Sequence, residues 1–244
     1  MGRQVSQALL LTILLGGCAL AQPVRRTDRN SELAHQQLLA KAKQGHINIY
    51  FEGDSITRRW GATDYPQLLE NWNRNFHGWD AADFGWGADR VENILWRLEN
   101  GELDGVNPRV IVLLAGTNNL DGKESAAQIT KRLNDVIQVM RDKAPNAVII
   151  VTGIFPRYDR LQLLPVIAEI NANLAKMADG RHIRYLNIND KLDETMLNPD
   201  KLHPALKGYE IWADALKPLF TELLGPPANE DHAPPPTGDP SKAK

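Results

Sequence analysis

The chain has one cysteine, Cys18, among 244 residues, so no intramolecular disulfide can form and no CxxC redox or metal motif is possible. Its six histidines, at 35, 46, 77, 182, 203 and 232, are scattered, and no metal is expected. Neither G-x-G-x-x-G nor a P-loop opens a helix after the first expected strand, which weakens a reading as a flavodoxin-like nucleotide or cofactor binder, and no cofactor is expected. A net charge of −2 leaves no basic excess for a nucleic-acid surface. There is no internal repeat, and beyond the N-terminus no apolar run is long enough to cross a bilayer. A 43% hydrophobic, 24% charged composition is that of a soluble globular domain.

Both ends differ from the middle. Arg3 and the apolar run over residues 8–15 have the form of a signal peptide, assigned to residues 1–21. Two processing sites compete. Leu15-Gly16-Gly17-Cys18 resembles a lipobox, which would lipidate Cys18 and attach the protein to a membrane; Ala19-Leu20-Ala21 is an A-x-A site. The competing structural reading is a buried N-terminal helix. Export to the periplasm, the outer membrane or the medium of a bacterium follows from the leader. At the other end, residues 225–244 are rich in proline and polar residues and read as a disordered tail. The folded domain is expected over residues 31–224.

Within it, short apolar runs alternate with amphipathic ones. Strands are expected at residues 47–51, 81–84, 110–115, 147–152 and 183–188. Asp89-Arg90-Val91-Glu92 and Ser125-Ala126-Ala127-Gln128 read as capping boxes of two helices. A third helix is expected at 166–177, and a last one carries Tyr209, Trp212, Leu216, Phe220 and Leu223, with Pro218 expected to kink or interrupt it. Strand–helix alternation implies a three-layer α/β/α domain with a parallel sheet of about five strands. Active groups in such sheets gather at the carboxyl ends of the strands.

The residues just past those ends form a coherent set: Glu52-Gly53-Asp54-Ser55, Gly85-Trp86-Gly87-Ala88, Gly116-Thr117-Asn118-Asn119, and later Asp200-Lys201-Leu202-His203-Pro204. A hydroxyl, glycine-rich backbone, an amide and an acid–histidine pair are the parts of an acyl-transfer site. In order and content the four blocks resemble the SGNH (GDSL-type) hydrolases. Residues 95–103 and 116–119 look most like the catalytic subunits of intracellular platelet-activating-factor acetylhydrolase and their bacterial relatives. The resemblance covers residues 47–223 and implies a flavodoxin-like SGNH fold and serine esterase chemistry. Ser55 lacks the second glycine of G-x-S-x-G, so no α/β-hydrolase nucleophile elbow is present.

In that framework Ser55 is the expected nucleophile, His203 the general base and Asp200 its orienting acid. Taken singly, Ser55 reads as a helix N-cap, Asn118 as an Asx turn and His203 as a structural histidine. The oxyanion hole is assigned to Ser55, Asn118 and Ala88, where the family usually has glycine; Gly87 is the alternative donor if the loop shifts by one residue. Asp54 is expected to support the loop. Arg58, Arg59 and Trp60 read as a solvated helix face or as substrate contacts, and Trp86 and Trp96 as core or substrate-stacking aromatics. Ile56 and Leu202 are expected to narrow an acyl pocket and so favour acetyl. The expected substrate is a small-molecule or polysaccharide ester, with a lipid or phospholipid ester as the alternative and a non-catalytic scaffold as the competing class. The resemblance also allows a homodimer.

Overall fold

The computed structural model describes residues 22–242, so the leader, Cys18 and both processing sites lie outside the described residues. Five strands form one parallel sheet: β1 Ile49–Gly53, β2 Ala81–Asp83, β3 Val110–Leu114, β4 Val148–Thr152 and β5 Ile183–Leu186, in the order β2-β1-β3-β4-β5. The expected strands thus all form, within two residues of the boundaries read from the sequence.

Helices cover both faces: α1 Arg29–Gln44, α2 Ser55–Gly61, α3 Pro66–Phe76, α4 Val91–Arg97, α5 Ala126–Lys143, α6 Leu164–Met177 and α7 Leu206–Leu224. Strand alternation sorts the core into two halves. Tyr50, Ile111 and Leu113 pack with apolar residues of α1, α4, α5 and α6, while Ile49, Phe51, Val110, Val112 and Leu114 pack with those of α2, α3 and α7. The second half is aromatic-rich, with Phe51, Trp60, Trp72, Phe76, Tyr209, Trp212 and Phe220 in mutual contact. The architecture is the three-layer α/β/α fold with a parallel five-stranded sheet.

Three local expectations are corrected. Asp89 does not cap α4: its carboxyl is buried against Arg97, and Asn93 Oδ1 instead accepts from Arg90 N at 2.9 Å. Pro218 does not end α7, which spans 19 residues and continues past it to Leu224 because Trp212, Leu216 and Phe220 are buried on both sides of it. The C-terminal segment is not left free. Ala228 N donates to Gly78 O, Thr63 N donates to Thr237 O, and Lys41 Nζ donates to Thr237 Oγ1. The segment's docking uses hydrogen bonds and proline contacts around a cavity of about 160 Å³ beside edge strand β2, an economy of apolar area that composition cannot register. The Ser125 box is present as expected, with Gln128 Oε1 accepting from Ser125 N at 2.8 Å.

Candidate active site

The site is assembled at the carboxyl edge of the sheet from the ends of β1, β2 and β3 and the loop before α7. After β1 the chain turns at once into α2. Asp54 caps that helix by accepting from Ile56 N at 2.9 Å, which places Ser55 in the first turn. Gly53 permits the close approach: a Cβ there would meet Thr57 Oγ1 at 2.3 Å and Leu114 O at 2.4 Å. Beneath Ser55, Ile56 and Trp60 are buried in the aromatic half-core, and Tyr209 Oη donates to Ile56 O at 2.7 Å. The helix is therefore pinned from below while its Ser55 face stays partly exposed.

Asp200 and His203 stand on a tight loop held at both ends. Asn198 N donates to His203 O at 2.8 Å, Asn198 Nδ2 donates to Pro204 O at 2.9 Å, and Lys201 occupies the left-handed region at φ 57°. Asp200 Oδ1 accepts from the backbone of Leu202 (3.1 Å) and His203 (3.0 Å), and Oδ2 accepts from His203 Nδ1 at 2.8 Å. That assigns the Nδ1–H tautomer and leaves Nε2 as an acceptor, 2.8 Å from Ser55 Oγ. Burial works against charge on Asp200, but the His203 and Leu202 N–H groups and the imidazole hold its carboxyl below the ordinary range. Burial also holds the His203 pKa below its ordinary 6.5, and the Arg59 and Arg157 cations lower it further against the pull of Asp200.

Asn118 lies on a 3₁₀ turn, Thr117–Asp121, entered through Gly116 at φ 109°. Its Nδ2 donates to Asp89 O at 2.8 Å, and the second amide hydrogen has only Asp54 Oδ2 nearby, at 3.5 Å. Asn119, by contrast, is fully buried and structural: Oδ1 accepts from Val91 N and Nδ2 donates to Glu92 and Glu124.

The loop after β2 lies against α2 because Gly85 has no side chain; a Cβ would meet Arg58 N at 2.7 Å. Gly87 faces Ser55, with Ser55 Cβ 4.0 Å from a built Cβ. Ala88 takes φ 62°. Positive φ is a conformation glycine adopts freely and alanine adopts at a cost of about 1–2 kcal/mol. Neighbouring bonds hold the loop there: Asp89 N donates to Trp86 O, and Arg26 donates to Gly87 O. Among the described residues neither the Gly87 nor the Ala88 N–H meets an acceptor.

Other polar groups around this edge are buried. Asp54 is pushed up to about 7 by burial, against the Ile56 N–H and with the charge of Asp89 adding to the rise. Asp89 is likewise raised by burial, opposed by Arg97 and Arg26. Arg157, 4% exposed, binds Asp121 at 2.7 Å and Asp159 at 2.6 Å, while Tyr158 N and Asp159 N both donate to Lys201 O. It thereby links the Asn118 turn to the Asp200–His203 loop.

The structure therefore brings together Ser55, Asn118, Asp200, His203 and the 87–88 backbone, and leaves Leu202 partly exposed beside them. Ile56 is a correction: at 1% exposure it belongs to the aromatic half-core, because the face of α2 opposite Ser55 is the buried one. Trp86 sits under the Arg58 guanidinium, and Trp96 packs on His35 and Arg25. The sequence singles out neither Arg26 nor Arg157, whereas Arg59 is named in it, as a substrate contact or part of a helix face. Arg157 follows β4 at the same carboxyl edge, so the rule that found the other blocks reaches it too.

This geometry has relatives. Residues 51–211 match the model of the GDSL-like lipase/acylhydrolase family. The platelet-activating factor acetylhydrolase IB subunit alpha1 of Homo sapiens is 32% identical over 198 residues, 78% of this chain and 82% of that protein. A member of the lipolytic protein G-D-S-L family from Veillonella parvula superposes with a TM-score of 0.62 at 22% identity, covering 72% of this chain and 98% of the other. A carbohydrate esterase family 3 protein from Talaromyces cellulolyticus gives 0.56 at 17% identity, over 72% and 97%. With a seryl hydroxyl on a histidine nitrogen at the expected edge of the sheet, the chain belongs to the GDSL (SGNH) hydrolases and is a carboxylic ester hydrolase of the serine type.

Proposed function

We propose that the protein hydrolyses short acyl esters, acetyl above all, through an acyl-enzyme on Ser55. The carrying observation is the continuous chain from Ser55 Oγ to His203 Nε2 and from His203 Nδ1 to Asp200 Oδ2, both links 2.8 Å. His203 takes the Ser55 proton as Oγ attacks the ester carbonyl, and Asp200 stabilises the resulting imidazolium. The oxyanion is received by the N–H groups of Ser55 and Ala88 and by the second hydrogen of Asn118 Nδ2, whose contact with Asp54 Oδ2 is long at 3.5 Å. His203 then protonates the departing alcohol, and water, activated by the same nitrogen, releases the acid.

Acetyl preference is supported by Leu202 beside the triad and by the human relative, named as an acetylhydrolase. For the alcohol half we favour a carbohydrate, as the Talaromyces relative is a carbohydrate esterase and the leader-like start, outside the described residues, implies an exported protein. A phospholipid ester is the second reading, drawn from the name of the human relative.

p-Nitrophenyl acetate, butyrate and octanoate offered to the wild type and to Ser55→Ala test the chemistry. Acetate should turn over fastest, with no turnover by the variant; activity surviving Ser55→Ala, or octanoate matching acetate, refutes the nucleophile or the acyl preference respectively. Acetylated xylan and an acetylated phospholipid then separate the two alcohols.

A further inference from the structure

The segment ahead of α1 sends one side chain to the loop that carries Ala88. Arg26 Nη1 donates to Gly87 O at 2.6 Å and to Asp89 Oδ1 at 3.0 Å. Its Nε donates to Asp28 Oδ2 at 2.9 Å, while Asp28 Oδ1 caps α1 by accepting from Ser31 N at 3.0 Å. The guanidinium is thus held from behind by a helix cap and directed at a loop carbonyl. Charge-assisted bonds of this kind are the strong ones.

The described residues contain no cis peptide bond. In the trans Gly87–Ala88 peptide the C=O and N–H point in opposite directions. With the Gly87 carbonyl engaged by Arg26, the Ala88 N–H is turned to the other side of the loop, where no acceptor among the described residues occupies it. Arg26 also reaches the second donor. The Asp89 carboxylate it shares with Arg97 fixes the residue whose main-chain oxygen holds Asn118 Nδ2 at 2.8 Å.

We propose that Arg26 is a positioning residue of the oxyanion hole, holding the 87–88 peptide with its N–H toward the substrate and compensating for an alanine at a left-handed position. This rests on the reading of the Ala88 N–H and Asn118 as oxyanion donors. Left-handed φ is unfavourable for alanine, so without the guanidinium the peptide relaxes and the donor rotates away. Glycine has no such drive. Dependence on Arg26 is therefore conditional on the side chain at 88, whereas a purely structural bond between the N-terminal segment and the body would be indifferent to it.

The test is steady-state hydrolysis of p-nitrophenyl acetate by the wild type, Arg26→Gln, Arg26→Lys, Ala88→Gly, the Arg26→Gln/Ala88→Gly double variant and Asn118→Ala, with a thermal melt of each. Arg26→Gln is expected to lose about 10- to 100-fold in kcat with KM within about 3-fold, since the interaction is made in the transition state. Arg26→Lys, a point charge without the fork, falls between the two and covers the case in which the glutamine variant does not fold. In the glycine background the same Arg26→Gln change should cost no more than about 3-fold. Equal losses in both backgrounds overturn the proposal and leave Arg26 a structural residue. An unchanged kcat in Arg26→Gln with a large loss in Asn118→Ala also overturns it and leaves the oxyanion reading standing. No loss in Asn118→Ala removes that reading itself.

Discussion

Arg59 stands one helical turn beyond Ser55 and places Nη1 3.6 Å from Asp200 Oδ2, the oxygen that also receives the His203 imidazole. A cation on α2 thus faces the acid of the triad, and its charge adds to burial in holding His203 neutral.

Neutral His203 is the form that accepts the Ser55 proton, so kcat/KM should rise with pH through one ionisation with its midpoint below 6.5 and level off near neutrality. Arg59→Gln removes a cation that disfavours the imidazolium and should move the midpoint upward. A pH–rate profile of p-nitrophenyl acetate hydrolysis for both proteins checks the position and the sign of the shift.

Asn118 and Asn119 are neighbours with different expected phenotypes. Asn118→Ala removes the side-chain amide proposed to receive the oxyanion and should lower kcat by roughly 10²–10³ with little change in stability. Asn119→Ala orphans the Val91 N–H and removes a donor from Glu92 and Glu124, and should cost about 1–3 kcal/mol in urea unfolding. Kinetics and denaturation on the same two preparations distinguish them.

Asp54 has a folded pKa of about 7, raised by burial above its unfolded value. Stability from such a group is fully present below the unfolded pKa near 4 and is lost as pH rises through the folded value. Asp54→Asn keeps an oxygen for the Ile56 N–H and cannot ionise. Relative to the wild type it should therefore gain up to about 4 kcal/mol between pH 4 and 7, then change no further. Urea unfolding across that range measures the difference.

Removing residues 226–244 deprives buried Lys41 of Thr237 and opens the cavity beside β2. Esterase activity should persist, because no described residue of that segment bonds to the triad, while Tm falls by roughly 4–8 °C for a loss near 2 kcal/mol. Differential scanning calorimetry of the truncated and full proteins checks this.

The five strands, the layer arrangement and the four polar blocks could be read from the chain because each depends on local periodicity and on residues that directly follow a strand. Asp200 and His203 were legible for the same reason, being three residues apart. What folding decided lies between distant segments. Ser55 meets His203 across 148 positions, Arg26 meets Gly87 across 61 and Arg157 meets Asp121 across 36. Charged side chains carry no periodic signature, so nothing local distinguishes Arg26 from a solvated arginine, and at Arg157 only its place after the carboxyl end of β4 does. The proline-rich end looked incapable of order because composition counts the apolar area a segment brings; it does not count the carbonyls, N–H groups and buried lysine that the body offers in return. Ala88 shows both sides: the departure from glycine is visible in the sequence, but its positive φ, and the arginine that holds its peptide, exist only once α1, the loop after β2 and α2 are packed together.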